Sequence, residues 1–525
     1  MKLRVFLFSF IVCLLLCMSF PASSLANNLS ISNVQMGVRD VQAKTLAVFF
    51  DVSWDNSWKN KINHDAIWLT VRMSDVQSGA VEKRLCQMSV AGVDPTGTGY
   101  GTNSYLELFV PGDKIGTFLR RKANAPVGTM SSKNVMVTVD YSSCGFDANS
   151  QIGINVFGME MVLVPEGDFY AGDFASSNAA FRQGSSDNAP WHITSEGAIN
   201  VSSVSSGGHY YSSASNVGEF ASGATFTIPA AYPKGFNAFY AAKYEITEGQ
   251  WVEFINSLPV TARTQHDLTD PSHKNSDAVL ARNTVACVGD PLVCTSQRPA
   301  RALSYLSWKG LCAFLDWAGL RPMTELEFEK LARGPYMPLS GEFAWGGTDI
   351  VAAGALSGVS EEAADETVTT VSANARYGGT VLSGGDAGLG AEYQSGSLRS
   401  GMFATSISKR EQSGAGSYAA MELSGNVSEE VVTVGNSDGL LFTGQMGDGY
   451  LSTAVGFTGN ANVIGWPGMD IDVSKGVTGS AGSGLRGGSW SDNADRLRIS
   501  DRMQAAYSVA DATASVGGRG VRSCE

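Results

Sequence analysis

Gly484-Leu485-Arg486-Gly487-Gly488-Ser489-Trp490, continued by Leu497-Arg498-Ile499-Ser500-Asp501-Arg502, is the stretch around which the chain is organised. Two adjacent glycines allow a tight turn and let another group approach the backbone closely. Trp490 supplies a large apolar anchor. Arg498 and Arg502, four residues apart, are expected to face inward together on a turn or short helix. Such a pattern suits the end of a domain whose earlier parts it must hold together.

A second stretch answers it: Gly319-Leu320-Arg321-Pro322-Met323-Thr324-Glu325-Leu326-Glu327-Phe328-Glu329, running on to Gly334. Thr324 and Glu327 have capping-box spacing, which predicts a helix starting at Glu325. Its acidic residues fit capping and salt-bridge duty better than reaction chemistry. Further upstream, Thr247 can cap a helix carrying Trp251, Phe254, Ile255 and Leu258. Leu311, Phe314, Leu315 and Ala318 mark another amphipathic helix.

Together these stretches resemble the formylglycine-generating enzyme (sulfatase-modifying factor) family. The block at 319–334 is similar to that family's G-x-R-L-P-T-E-x-E-W-E, and Gly158-Met159 through Phe169 to its opening motif. Lys243-Tyr244-Glu245-Ile246-Thr247 is similar to its K-Y-E-V-T. The resemblance implies a variant of the C-type lectin fold, an α+β domain, over 156–525.

Ahead of it, 27–155 reads as strands. Thr45–Trp54, Ala66–Met73, Tyr105–Val110 and Val135–Tyr141 are β-rich, partly alternating and separated by polar and Gly/Pro clusters. Short strands without helical periodicity predict a β-sandwich of immunoglobulin-like size, serving as spacer or docking module. The polar insertion from Ser176 to Thr225 reads as surface loop.

Composition narrows the function. A net charge of −13 argues against a nucleic-acid partner, which favours a basic face. Lys2 and Arg4, the apolar run Val5–Phe20 and Ser24-Leu25-Ala26 read as a signal peptide, 1–26, cleaved after Ala26. That run is shorter than the ~20 residues a membrane span needs. The expected location is therefore secreted, periplasmic or cell-surface, with no membrane span. Cys86, Cys144, Cys287, Cys294, Cys312 and Cys524 then remain, an even number that favours disulfides. Cys86 and Cys144 share the first domain, and Cys287 and Cys294 can close a short loop. For Cys312 and Cys524, the resembled family implies a bridge from a helix to the chain end. Free buried thiols are the alternative.

The resemblance also implies calcium. Glu422-Leu423-Ser424-Gly425-Asn426-Val427-Ser428-Glu429 is similar to the family segment D/N-x-x-G-N-x-W-E, whose outer side chains and two carbonyls bind the ion. Carried over, the ligands are Glu422, Gly425, Val427 and Glu429, hard oxygen donors that suit calcium. A second, gapped alignment gives Asn374, Ala375, Asp386 and Gly388.

Copper is not expected. The family's two copper-binding cysteines follow G-G-S, and those positions fall on Asp492 and Leu497. Ser489 keeps the place of the cleft serine. Cu(I) requires soft thiolates, which a carboxylate and an aliphatic chain cannot replace. The histidines His64, His192, His209, His266 and His273 form no close pair, so the iron-dependent sulfoxide synthases are also a poor comparison. Three readings remain. One is an exported module binding a peptide, protein or glycan in the former cleft, at Trp466, Trp490, Asp492, Asn493, Asp495 and Arg498. The others are a formylglycine-generating oxidase, and a structural or hypervariable surface-display protein.

Overall fold

Apolar residues at every second position of Thr45–Lys59 bury one face of a strand and leave the other half-exposed. This strand is the second in the computed structural model. The structure describes residues 28–77, 82–89, 106–174, 177–184, 189–202, 208–358, 366–405, 407–508 and 512–524. The expected signal peptide, 1–26, lies outside the described residues.

The first half supplies β1 (Ser30–Asp40), β2 (Thr45–Lys59), β3 (Asp65–Asp75), β4 (Arg84–Met88), β5 (Leu106–Phe109), β6 (Thr117–Arg121), β7 (Ala125–Asp140) and β8 (Ile152–Val164). The second half contributes β9 (Phe239–Ala242), β10 (Arg321–Pro322) and a strand near the chain end, Gly520–Ser523. All belong to one 11-stranded sheet, running β1-β2-β7-β4-β3-β8-β9, then Gly520–Ser523, then β10, with β6 on β3 and β5 on β6. β4 pairs with β3 on one side and β7 on the other, so the sheet turns back on itself there. The enclosed core holds Val48, Phe50 and Trp54 of β2, Ile67, Leu69 and Val71 of β3, and Val135, Val137 and Val139 of β7. The protein is thus mostly β, with few helices.

The boundary expected between 155 and 156 falls inside β8. One strand serves both halves: it pairs with β3 from Asp65↔Val162 to Asp75↔Ile152, and with β9 from Phe239↔Val164 to Ala242↔Met161. β3 is buried on both faces over most of its length, because the second half packs against the side that the first core leaves open. Trp68 of β3 donates its indole N–H to the Ala318 carbonyl at 2.8 Å, and the Arg522 guanidinium lies over its ring, 4.2 Å from the centroid.

Three helices of nine or ten residues back the second half, among shorter ones of four. α1 (Glu248–Ser257) and α3 (Glu325–Arg333) both start in complete capping boxes, built by Thr247 with Gln250 and by Thr324 with Glu327. α2 (Trp308–Trp317) is capped by Ser307. A smaller sheet lies beside them, comprising β11 (Ser428–Val432), β12 (Ser483–Arg486) and β13 (Val516–Gly517); the strand Gly520–Ser523 is β14.

The segment expected as surface loop, 176–225, is partly folded. Arg182–Gln183, His209–Tyr210 and Ile199–Val201 join Phe226–Ile228 in a four-stranded sheet, and Phe181, Trp191, Val201 and Tyr211 are fully buried. The Ser, Gly and Asn content that suggested a loop hides four large apolar anchors.

Two disulfides form, Cys86–Cys144 and Cys287–Cys294. The bridge that the resemblance implied between Cys312 and Cys524 does not: both are free thiols, Cys312 buried inside α2 and Cys524 half-buried after β14. Each packs against the apolar core, so burial takes the place of a bond.

Candidate functional site

α3 is buried along its entire length although five of its nine residues are charged. Burying a charge is tolerated only when it is paired and hydrogen-bonded. Here the partners come from the Gly-Gly stretch. Arg486 of β12 donates to Glu325 at 3.1 Å and to Glu329 at 2.7 Å, and Arg502 donates to Glu325 at 2.7 and 3.1 Å. Burial alone would raise the Glu325 carboxyl, but Arg502 and Arg486 hold it below its ordinary range. Arg333 pairs with Glu329 and Glu342, and Arg321 grips Glu327 with two bonds of 2.9 and 2.6 Å. These acidic residues therefore carry capping and salt-bridge duty. The inward pair, however, is Arg486 with Arg502. Arg498 is half-buried and pairs with exposed Asp495 at 2.7 Å, because the backbone from Ala494 to Leu497 is a 3₁₀ turn that ends in extended conformation at Arg498.

The two glycines behave as their pattern suggests. Gly487 and Gly488 have φ of 84° and 64°, and a Cβ on Gly488 would stand 2.8 Å from Leu497 Cδ1 and 2.9 Å from the Arg496 carbonyl. Beyond them, Ser489 is fully buried, and its backbone N–H and its hydroxyl both donate to Asp492 Oδ2, at 2.9 and 2.6 Å. Trp490 is half-buried, with its indole N–H on the Ala514 carbonyl at 2.9 Å. Leu497 is fully buried among Leu423, Phe328 and Ile499, and its carbonyl accepts from Ser424 Oγ at 2.7 Å.

The two positions that the resemblance assigns to copper ligands thus hold a carboxylate closed onto Ser489 and a core leucine. Neither supplies a thiolate, so the donors present do not fit Cu(I). Of the expected cleft residues, Trp490, Asp492, Asn493, Asp495 and Arg498 lie together on one exposed to half-buried turn. Trp466 does not belong with them as a surface residue. It is 2% exposed, with its indole N–H on the Gln445 carbonyl and its ring in the core. An aromatic side chain of that size between Gly465 and Pro467 reads equally well as anchor or as platform, and the core claims it.

At the first expected calcium loop, Glu422 and Asn426 take left-handed backbone, with φ of 58° and 67°. Glu422 Oε1 accepts the Gly401 N–H at 2.7 Å. Glu429 is fully buried and accepts two bonds from Arg519. Glu245, from the K-Y-E-x-T stretch, completes the cluster by accepting from the Val427 N–H at 3.1 Å and the Asn426 amide at 2.5 Å. Burial, and then the neighbouring Glu422 and Glu429, raises the Glu245 carboxyl well above its ordinary value; burial pushes Glu422 up to about 7. At the second, Asn374 and Asp386 serve different partners: Asn374 Oδ1 accepts from the Val351 N–H, and Asp386 is held by Arg298 and Arg301. Among the described residues, no group of three His, Cys, Asp or Glu side chains is placed to hold a metal ion. Sequence reasoning missed Arg519, Arg298 and Arg301. The only available signal was an arginine set among small residues, in Gly-Gly-Arg-Gly and Arg-Pro-Ala-Arg.

A cavity of about 590 Å³ opens along the seam between the halves, lined by Ile31 of β1, Met159 and Glu160 of β8, Glu245 ahead of α1, and Gln250 and Glu253 on α1. None of the six expected cleft residues lines it. No helix among the described residues is long and apolar enough to cross a membrane.

Two signature stretches joined through buried arginine–carboxylate pairs around a Gly-Gly turn define a domain of the sulfatase-modifying type. A family model described as the sulfatase-modifying factor enzyme 1-like domain matches residues 155–524, and the chain belongs to that family. The comparison with curated proteins finds no match.

Proposed function

We propose that this protein is an exported, non-catalytic member of its family, which binds a peptide, protein or glycan through the turn bearing Trp490, Asp492, Asn493, Asp495 and Arg498. The observation that carries this reading is the state of the two copper positions. Leu497 is part of the core beneath Gly488, and Asp492 is spent on Ser489, whose hydroxyl is fully buried. A retained scaffold with polar groups and an aromatic edge at its old reaction centre suits recognition more than oxygen activation. In this reading the second half is a lectin-type fold, and β1–β8 form a sandwich-type docking module. The two disulfides favour an oxidising compartment outside the cytosol.

The test has two arms. Purified protein is incubated with copper, oxygen and a peptide carrying the Cys-x-Pro-x-Arg motif, and conversion of Cys to an aldehyde is followed. No turnover above a metal-only blank is expected. The protein is then screened on peptide and glycan arrays, where Asn493→Ala with Asp495→Ala should lose the wild-type signal. Aldehyde formation above the blank would replace this reading with the oxidase.

A further inference from the structure

At each of the two loops where the family implies calcium, buried arginines hold one of the implied carboxylates: Arg519 holds Glu429, and Arg298 with Arg301 hold Asp386. We infer that buried arginines replace calcium here: Arg519 at the Glu422–Glu429 loop, and Arg298 with Arg301 at Asp386.

The first position is the clearer. Arg519 and Glu429 are both fully buried and meet fork to fork, Nε on Oε2 at 2.7 Å and Nη2 on Oε1 at 2.5 Å. The remaining guanidinium hydrogens go to backbone oxygens: Nη2 to Met421 at 2.6 Å, and Nη1 to Ala242 at 2.9 Å and Lys243 at 3.3 Å. The group therefore sits in a cage of oxygen atoms only, one carboxylate and three carbonyls, which is the donor set a hard cation would take. A calcium ion needs six to eight oxygens at roughly 2.3–2.6 Å. Both oxygens of Glu429 are already committed to a bidentate guanidinium, and a dication beside that guanidinium would be repelled by it.

Independently, the second position shows the same exchange. Asp386 accepts from Arg298 on both oxygens, at 2.9 and 3.3 Å, and Arg301 donates to Oδ2. Arg301 and Arg282 reach Glu366 in the same buried cluster. Asn374 is spent elsewhere: its Oδ1 accepts from the Val351 N–H at 2.9 Å, and its amide donates to the Asp349 and Glu411 carbonyls. Two loops expected to share one kind of ion have each acquired a covalently tethered cation. The fold consequently keeps its loops ordered whatever the surrounding calcium concentration.

The experiment measures metal content and thermal stability of the full chain. Wild-type protein dialysed against millimolar calcium, then desalted, should carry substoichiometric calcium by elemental mass spectrometry. Its Tm should be the same in calcium and in EGTA. Arg519→Lys keeps the charge and should remain insensitive. Arg519→Met vacates the oxygen cage, so its Tm should drop by several degrees in EGTA and recover in part with millimolar calcium. One bound calcium per wild-type chain, a wild-type Tm lowered by EGTA, or a folded Arg519→Met variant indifferent to calcium would overturn the inference. If Arg519→Met does not fold in either buffer, the wild-type metal content and chelator response decide alone.

Discussion

Arg486 and Glu325 lie 161 positions apart in sequence and meet at 3.1 Å, with neither side chain exposed at all. Through this contact the Gly-Gly stretch holds α3. Arg486 simultaneously reaches Glu329, one turn further along the same helix face.

Removing one partner of a buried pair leaves an uncompensated charge. Arg486→Met should therefore destabilise the protein by about 3–5 kcal/mol. Arg486→Lys should recover little of this, because a single ammonium lacks the planar fork that bonds both glutamates. Urea unfolding of the three proteins checks the order.

Stability should fall as pH rises through neutrality, in part through Glu160. Burial pushes this carboxyl from 4.5 up to about 7, against the pull of Lys243 at 3.0 Å; Asp65 and Asp55 add to the rise. A raised acid favours the protonated folded state, so its contribution is complete below about pH 4.5 and lost as pH passes 7. His64 and His266 act in the opposite sense. Burial lowers them to about 4 and 3, so their contribution is present above about 6.5 and lost as pH falls. Glu160→Gln should flatten the neutral limb, where the wild-type slope from this group stays below about 1.4 kcal/mol per pH unit. Denaturation at several pH values reads the difference between the two curves.

Alkylation of the unfolded, unreduced protein should label Cys312 and Cys524 and spare Cys86, Cys144, Cys287 and Cys294. In the folded protein both should resist, since Cys312 is fully buried and burial pushes the Cys524 thiol up to about 12. The two bridges should differ in worth. Cys86–Cys144 closes a separation of 58 residues and Cys287–Cys294 one of 7, which in the loop-entropy model gives about 4 and about 2 kcal/mol. Paired Cys→Ser variants rank them.

The family domain should not fold alone. Deleting 28–150 strips β3 from β8 along eleven paired residues and uncovers the Phe157 and Met161 faces that share a core with Trp68 and Phe118. The shortened chain should aggregate or bind a hydrophobic dye. Within the full chain, Trp68→Ala should cost about 3–5 kcal/mol and still give one unfolding transition.

What the sequence made legible was local. Thr324 and Glu327 specify the start of α3 because a capping box involves residues three apart, and the alternation in Thr45–Trp54 marks β2 because a strand exposes every second side chain. The rest depends on partners distant in the chain. Nothing near Glu429 announces Arg519, 90 positions on, and nothing in the Gly158-Met159 motif says that β8 continues into the earlier strands. Cys312 and Cys524 share one core without bonding, a matter of side-chain placement that counting cysteines does not reach.

β14 is inserted between β9 and β10, so Phe239↔Ser523 and Arg321↔Val521 both await it. Arg519, at its threshold, bonds the Ala242 carbonyl 277 positions earlier. Closure over such a span is slow compared with local hairpins. It also ties the pairing of two earlier strands to one late strand. A chain interrupted before residue 520 leaves β9 and β10 with bare edges, and unpaired edges recruit other strands.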